Sequence, residues 1–466
     1  MPDIVLATIN AKWIHPSLAL RLLKANLGRL QASCEILEFA IRQPLGEKTG
    51  PILAARPRLL GLSVSIWNHK ATLELLESLS REWEEKPIVV LGGPEVSWLP
   101  SGAEIFRYAD YVIRGEGEES FRALCYRIFC EPGAVSDVGA IAPAYHLYTD
   151  EDLKKKLVYV EASRGCAYSC EFCQGPLSGK GVREFPLEPF LAQMGTLIDR
   201  GARTFKFLDR SFNLNIARAK RIMEFFLERL ETAKQERPFC VHFEMVPFRF
   251  PEELRKPLRR FPAGSLRLEV GIQTFNPQTA ALINRAGGSG GEMETLEFLR
   301  RETCAIVHAD LIAGLPGEDL ASFGAGFDRL WQALSAVRRQ SPPGTEFPPG
   351  LPPSAPFEIQ PGILKCLPGT AIARHNETHG MRYAPQPPYE VMETASLSAA
   401  ELGRIKNFAR FWEIIVNRNP FPDMLPRLLP PGQPVFDNFM LLSDRLLENF
   451  GRNWGIDRKE LGEQLG

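Results

Sequence analysis

The 466-residue chain contains no unbroken apolar run of the roughly twenty residues that a membrane-spanning helix needs. No transmembrane segment is therefore expected. It has almost no net charge: 55 Lys and Arg against 56 Asp and Glu leave −1. That balance gives no electrostatic case for binding nucleic acid or a membrane surface. A disulfide framework is also missing. Nine cysteines is an odd number, and six of them (Cys34, Cys125, Cys130, Cys240, Cys304, Cys366) are scattered. Such usage fits a reducing cytoplasm. Met1-Pro-Asp-Ile-Val-Leu carries no basic segment or cleavage site, so no signal peptide is expected. There is no phosphate-binding loop either. Gly287-Gly-Ser-Gly-Gly291 follows a helical pattern and lacks the Lys-Ser/Thr ending, so it reads as a hinge.

What the chain does have is Cys166-Ala-Tyr-Ser-Cys170-Glu-Phe-Cys173, three cysteines spaced C-x3-C-x2-C. Residues 158–163 read as a buried strand, which puts the cysteines on a loop at its carboxyl end. Three thiolates on a short loop suit zinc or an iron–sulfur cluster. Structural zinc wants a fourth protein ligand, and no Cys or His follows closely. A [4Fe–4S] cluster held by three cysteines would keep one iron open to a small molecule.

Around this loop the chain alternates strands and helices. In residues 1–140, strands are expected at 4–8, 59–66, 87–93 and 111–115, and helices at 17–30, 71–83 and 118–129. Alternation of this kind predicts a doubly wound, Rossmann-like parallel sheet. Ligands of such sheets bind beyond the carboxyl ends of the strands. Those ends carry Asn10 and His15; Ser65, Trp67 and Asn68; Gly92, Gly93 and Glu95; and Gly115, Glu116, Gly117 and Glu118. Residues 151–376 repeat strand and helix six times, predicting a partial (β/α)6 barrel of TIM type with its site at the carboxyl strand ends. Residues 341–356 are rich in proline and read as a surface insertion. Residues 377–466 are helical, opened by the capping box Ser398-Ala-Ala-Glu401. The expected fold is thus α/β with a small α-helical C-terminal domain.

The cysteine spacing, with Phe172 before the last cysteine, resembles the cluster motif of radical S-adenosylmethionine (SAM) enzymes. Phe-Leu-Asp209-Arg-Ser-Phe-Asn, Glu269-Val-Gly-Ile-Gln273-Thr and Asp310-Leu-Ile-Ala-Gly314-Leu-Pro-Gly-Glu resemble that family's segments in order. Leu-Gly-Gly-Pro-Glu95 and Ile-Arg-Gly-Glu-Gly-Glu118 resemble turns of the cobalamin-binding domain that precedes many of its members. The C-terminal region is similar to that of an uncharacterised branch of cobalamin-binding radical SAM proteins. The resemblance implies three cofactors: a [4Fe–4S] cluster on Cys166, Cys170 and Cys173, SAM, and cobalamin. It implies Phe172 at the adenine, Gly314 where the backbone passes the adenine, and Glu269, Gln273 and Asp310 at the ribose or the methionine carboxylate. Asp209 is a further SAM-segment residue, with helix capping as its bland alternative. Cys366, near the inner end of the last strand, is a candidate thiol acid or base, with a small buried residue as the alternative.

One departure matters. The Asp-x-His-x-x-Gly motif that ligates cobalt from below is missing. His15 sits on the matching loop without its partners, and Trp67 and Asn68 are candidates to cover the lower face. The implied reaction is reductive cleavage of SAM to a 5′-deoxyadenosyl radical, then methylation of an unactivated carbon. Cyclisation, rearrangement or oxidation without methyl transfer is the alternative. A non-enzymatic metal-binding interaction protein stands further off. A transfer-RNA methylthiotransferase is disfavoured, because Cys34, Cys125 and Cys130 lack the required spacing and the tail is not basic. Expected partners are an unnamed small-molecule or peptide substrate and a reductant such as flavodoxin or ferredoxin, with no membrane and no nucleic acid.

Overall fold

The computed structural model describes residues 1–130, 141–179, 181–232, 239–286, 291–335 and 357–466. The expected glycine hinge (save Gly291) and the proline-rich insertion lie outside these residues. The chain divides into two compact units: residues 1–160 with 196–202 and 386–388, and the remainder.

The first unit holds a five-stranded parallel sheet: β1 (Ile4–Asn10), β2 (Cys34–Ala40), β3 (Leu59–Ser63), β4 (Ile88–Gly92) and β5 (Tyr111–Val112), in the order β2-β1-β3-β4-β5. Its strands are apolar because helices cover both faces. Val5, Ala7, Leu60, Leu62 and Val89 pack on one side; Ile4, Leu6, Leu59 and Val90 pack on the other with Phe121. The sequence reading missed β2 and the helix Leu45–Ala55 after it. β2 is an edge strand carrying Glu35 and Glu38, and the helix contains Pro51. Glu38 has a structural partner: it pairs at 2.8 Å with buried Arg21, which also meets Asp152 at 3.0 Å. The 1–160 stretch ends in the strand β6 (Val158–Val160), which lies outside the five-stranded sheet.

The second unit carries five further parallel strands: β7 (Thr204–Phe207), β8 (Cys240–Met245), β9 (Leu266–Gln273), β10 (Ile306–Ala313) and β11 (Phe357–Ile363), each pairing with the next. Helices Ile216–Thr232, Glu252–Arg260, Gly291–Glu302 and Leu320–Ser335 stand between them. Glu252–Arg260 was not expected, because Pro257 lies inside it. Burial alternates residue by residue along β9 and most of β10. Val241, Phe243, Leu268, Val270, Val307 and Ala309 are buried. The opposite face is charged. Register aligns Lys206, His242 and Arg267 in one row and Glu244, Glu269, His308 and Glu358 in the next.

The C-terminal region packs on this unit. Helix Ala399–Trp412 starts at the expected capping box, with both reciprocal bonds made. Phe327, on helix Leu320–Ser335, meets Trp412 edge-on at 4.7 Å and Phe408 at 4.9 Å.

Candidate active site

The cysteine loop leaves Glu161 and is tied down before it reaches Cys166. The Asp209 carboxylate, just past β7, accepts hydrogen bonds from the Ala162 N–H (2.9 Å) and the Ser163 hydroxyl (2.6 Å). Burial pushes its pKa up to about 6 against these donors. Asp209 is buried and holds the loop rather than lining the cleft. Lower down, Glu171 is clamped by Arg374 at 2.5 Å and by His375 Nε2 at 2.9 Å. Backbone bonds Glu171 N–Ile283 O and Ile372 N–Glu171 O, each 3.0 Å, complete the clamp.

Cys166, Cys170 and Cys173 line one cleft of about 220 Å³ at the carboxyl ends of β8, β9 and β10. A methyl group placed on Gly175 would touch both Cys173 Sγ (3.4 Å) and the Cys166 side chain (3.6 Å), so the two converge there. The Gly175 N–H donates to Cys173 Sγ at 3.3 Å, and Arg285 reaches Cys170 Sγ at 3.7 Å. Donors aimed at sulfur are what cluster thiolates take. Among the described residues, no three His, Cys, Asp or Glu meet closely enough for a single metal ion. A cluster spreads its irons over several ångströms and suits the wider spacing. The donor set fits a three-thiolate cluster.

Across the cleft stand Glu244, Glu269, Gln273 and Asp310, with Arg210 and Arg285. Phe172 lines it as well. Gln273 has φ 72°, a strained conformation for any residue but glycine. Gly271 makes room for it, since a Cβ there would lie 2.5 Å from Gln273 Nε2. Such strain turns the amide into the cleft at the strand end. Glu269 is held ionised: burial alone would raise its pKa, but His242 at 3.3 Å and Lys206 at 3.5 Å bring it well below the usual carboxylate range. Glu244 goes the other way, to about 7, through burial and the charges of Glu269 and Asp310, against Arg210. Below them His308 bonds Asp310 (3.1 Å) and Glu358 (2.8 Å). Burial disfavours its charge, but the two carboxylates outweigh it and lift the pKa to about 10. His242, buried beside Lys206 and Arg267, falls to about 4 despite Glu269. The cleft thus offers fixed charges of both signs, as a zwitterionic ligand requires.

Besides Asp209, two more expected residues stand apart from this cleft. Gly314 has φ 85°, and a Cβ there would collide with Val391. Cys366 is half-buried, its thiol raised by burial, with its N–H bonded to Tyr389 O at 3.0 Å. Conversely, Arg210, Glu244 and Arg285 were missed. Glu244 and Arg267 carried a signal: charged residues at alternate positions of apolar strands.

In the first unit, the expected loop residues gather at the carboxyl edge of the sheet. Asn68 is fully buried and spends its amide on the Ser65 N–H (2.7 Å) and Ile9 O (2.9 Å). Glu95 pairs with His69 at 2.8 Å, Asn10 with Glu38 at 3.2 Å, and His15 Nδ1 with the Tyr159 hydroxyl at 2.8 Å. Gly92 closes β4; at Gly93 (φ 105°) a Cβ would lie 2.5 Å from Val64 O, so only glycine permits this approach. Gly115 has φ 70°, and Glu116 and Gly117 lead into the helix that Glu118 begins. Trp67, on the loop after β3, is 53% exposed, so this edge of the sheet carries an open aromatic face as well as glycine turns. That combination fits a large planar cofactor.

Three family profiles match in sequence: one described as a B12 binding domain over residues 4–125, one as the radical SAM superfamily over 160–329, and one as a protein of unknown function, DUF4080, over 377–457. The chain carries a B12-binding domain and a radical SAM domain. Among curated relatives, the ribosomal protein uS12 methylthiotransferase RimO of Porphyromonas gingivalis is 25% identical over 201 residues, 41% of this chain and 45% of that protein. An uncharacterized methyltransferase of Pyrococcus horikoshii is 29% identical over 30% of this chain and 37% of its own. The match thus spans less than half the length of these relatives. Among solved structures, the radical SAM methyltransferase TsrM of Kitasatospora setae, with cobalamin and a [4Fe-4S] cluster bound, aligns at TM-score 0.59 and 18% identity over 83% of this chain and 78% of that one. The cobalamin-dependent radical enzyme OxsB, with aqua-cobalamin and S-adenosylmethionine bound, aligns at 0.61 and 15% over 98% and 76%. At these identities the likeness is one of fold.

Proposed function

We propose that this radical SAM protein uses SAM to methylate an unactivated carbon of a small-molecule or peptide substrate. The observation that carries the reading is the convergence of three cysteines, Arg285 and the carboxylates Glu269 and Asp310 on one cleft. Cys166, Cys170 and Cys173 would hold the cluster, which would supply an electron for splitting SAM into methionine and a 5′-deoxyadenosyl radical. Cobalamin in the first unit would supply a carrier for the methyl group. The chain's own residues bind and orient. Glu269 and Asp310 offer acceptors to the ribose or the ammonium, Arg210 and Arg285 offer donors to the carboxylate, and Phe172 offers a face to adenine. Asp209 and Gly314 act on loop and packing instead, and Cys366 is a candidate thiol acid or base near the last strand. Asn10, His15, Ser65, Trp67 and the glycine turns are the cobalamin-side residues. With His15 engaged by Tyr159, a histidine ligand to cobalt is not part of the reading.

The electron comes from a flavodoxin or ferredoxin, and the scattered thiols suit a reducing cytoplasm. No helix among the described residues is long and apolar enough to cross a membrane. The test is anaerobic purification with cobalamin supplied, followed by iron, sulfide and corrinoid content and 5′-deoxyadenosine release with dithionite. Cys170→Ala should abolish that release and keep corrinoid binding; loss of both would point to misfolding. Product from methyl-labelled SAM decides the reaction. An unlabelled product would replace methylation with cyclisation, rearrangement or oxidation.

A further inference from the structure

A second, larger cavity of about 540 Å³ adjoins the cysteine cleft, and Phe172 lines both. Its volume falls within the range of roughly 300–1,000 Å³ usual for small-molecule sites. One wall is apolar and comes from the barrel: Ile312, Ile363, Leu364 and Leu367. The other comes from the region matching the profile of unknown function and brings Glu390, Lys406, Arg410 and Asn453. Lys365 completes the rim.

The charges do not cancel. Lys406 is paired with Glu390. Arg410 Nε donates to Asn453 O at 3.0 Å, which fixes the plane of the guanidinium. Its terminal nitrogens have no acceptor among the described residues, and no carboxylate there reaches the Lys365 ammonium. An oriented guanidinium and an ammonium beside an apolar wall form a receptor for an oxyanion on a hydrophobic body.

We infer that this cavity is the substrate pocket, the word substrate resting on the radical reading above. It takes a small molecule joining an apolar body to a carboxylate or phosphate, with the anion on Lys365 and Arg410. The family-specific region thereby sets which molecule is presented beside Phe172 and the cluster cleft.

The test is calorimetric titration of the full chain with 2-naphthoate, 2-naphthyl phosphate and 2-naphthylmethylammonium, three ligands sharing one ring system. At least one anion should bind, and the cation at least about tenfold more weakly. Which anion is preferred separates carboxylate from phosphate. Lys365→Met with Arg410→Met should weaken anion binding by at least about tenfold, whereas Lys365→Arg alone, which keeps the charge and leaves the oriented guanidinium in place, should stay within about threefold. Equal binding of the cation overturns the assignment. So does unchanged anion affinity in the methionine pair with a wild-type unfolding midpoint. If that pair does not fold, the wild-type chain decides: inorganic phosphate should displace the bound anion, and indifference to it overturns the proposal. A wild-type preparation without iron or 5′-deoxyadenosine would sink the radical reading alone, since anion binding is scored without either.

Discussion

Gly314 illustrates how a single residue can be needed for packing where family likeness implies a cofactor contact. Its φ of 85° lies in the left-handed region, and the space over its Cα is filled by Val391 and Leu402. Gly314→Ala should cost about 1–3 kcal/mol from backbone strain, with the collision adding to it. Urea unfolding of the iron-free chain measures this; an unchanged midpoint would return Gly314 to the cofactor. Arg285 lies at the opposite pole. It bonds Gly271 O and reaches Cys170 Sγ, so one side chain links the bulged end of β9 to the cysteine loop. Arg285→Met should lower the iron retained after anaerobic gel filtration severalfold, while Arg285→Lys keeps part of it. Equal retention in the methionine variant would reduce Arg285 to a loop contact.

At the scale of elements, the charged inner face of β7–β11 was legible in the sequence only at Glu269, Gln273 and Asp310. Each strand was recognised by its apolar alternate residues, which face the helices. The inward set (Lys206, His242, Glu244, Arg267, Glu269, His308) becomes a unit only when register aligns it. The cysteine loop and the capping box were legible because their signals are local. β2 and the helix containing Pro257 were not, because edge charges and an internal proline mimic loop. The same alignment gives a pH prediction. Asp310 on its own strand and Glu358 on β11 hold His308 protonated, with Arg267 on β9 opposing and Glu269 nearby adding to the negative field. Its pKa is raised to about 10 from the ordinary 6.5. A raised folded-state pKa adds stability that is complete below 6.5 and disappears as pH climbs through about 10. The gap in unfolding midpoint between wild type and His308→Gln should therefore be widest below pH 6.5 and close toward pH 10. A gap constant over that window would show that packing, and not charge, holds this layer.

At the scale of the molecule, the question is whether the C-terminal region is an appended domain or part of the barrel's own core. The interactions argue for the latter. Asn417 bonds both the N–H (3.2 Å) and the carbonyl (3.0 Å) of Ile359 on β11, occupying the edge of the sheet where an open strand would invite aggregation. The turn that presents it, Glu413–Asn417, is a π-type widening of the helix that began at Ala399. Phe327 and Trp331 of the barrel helix then share one aromatic cluster with Trp412, Phe408 and Phe436. Trp412 is completely buried in it, and truncating such a side chain costs about 3–5 kcal/mol. A chain ended at residue 376 would expose that barrel helix and leave β11 unprotected. It should aggregate or unfold instead of yielding a free radical SAM barrel, and Trp412→Ala in the full chain should lower the unfolding midpoint of the whole second unit in a single transition. Limited proteolysis and calorimetry measure both. A soluble, cooperatively folding 1–376 fragment that still retains iron would show that the C-terminal region is an independent module, and would detach the anion pocket's far wall from the fold that supports it.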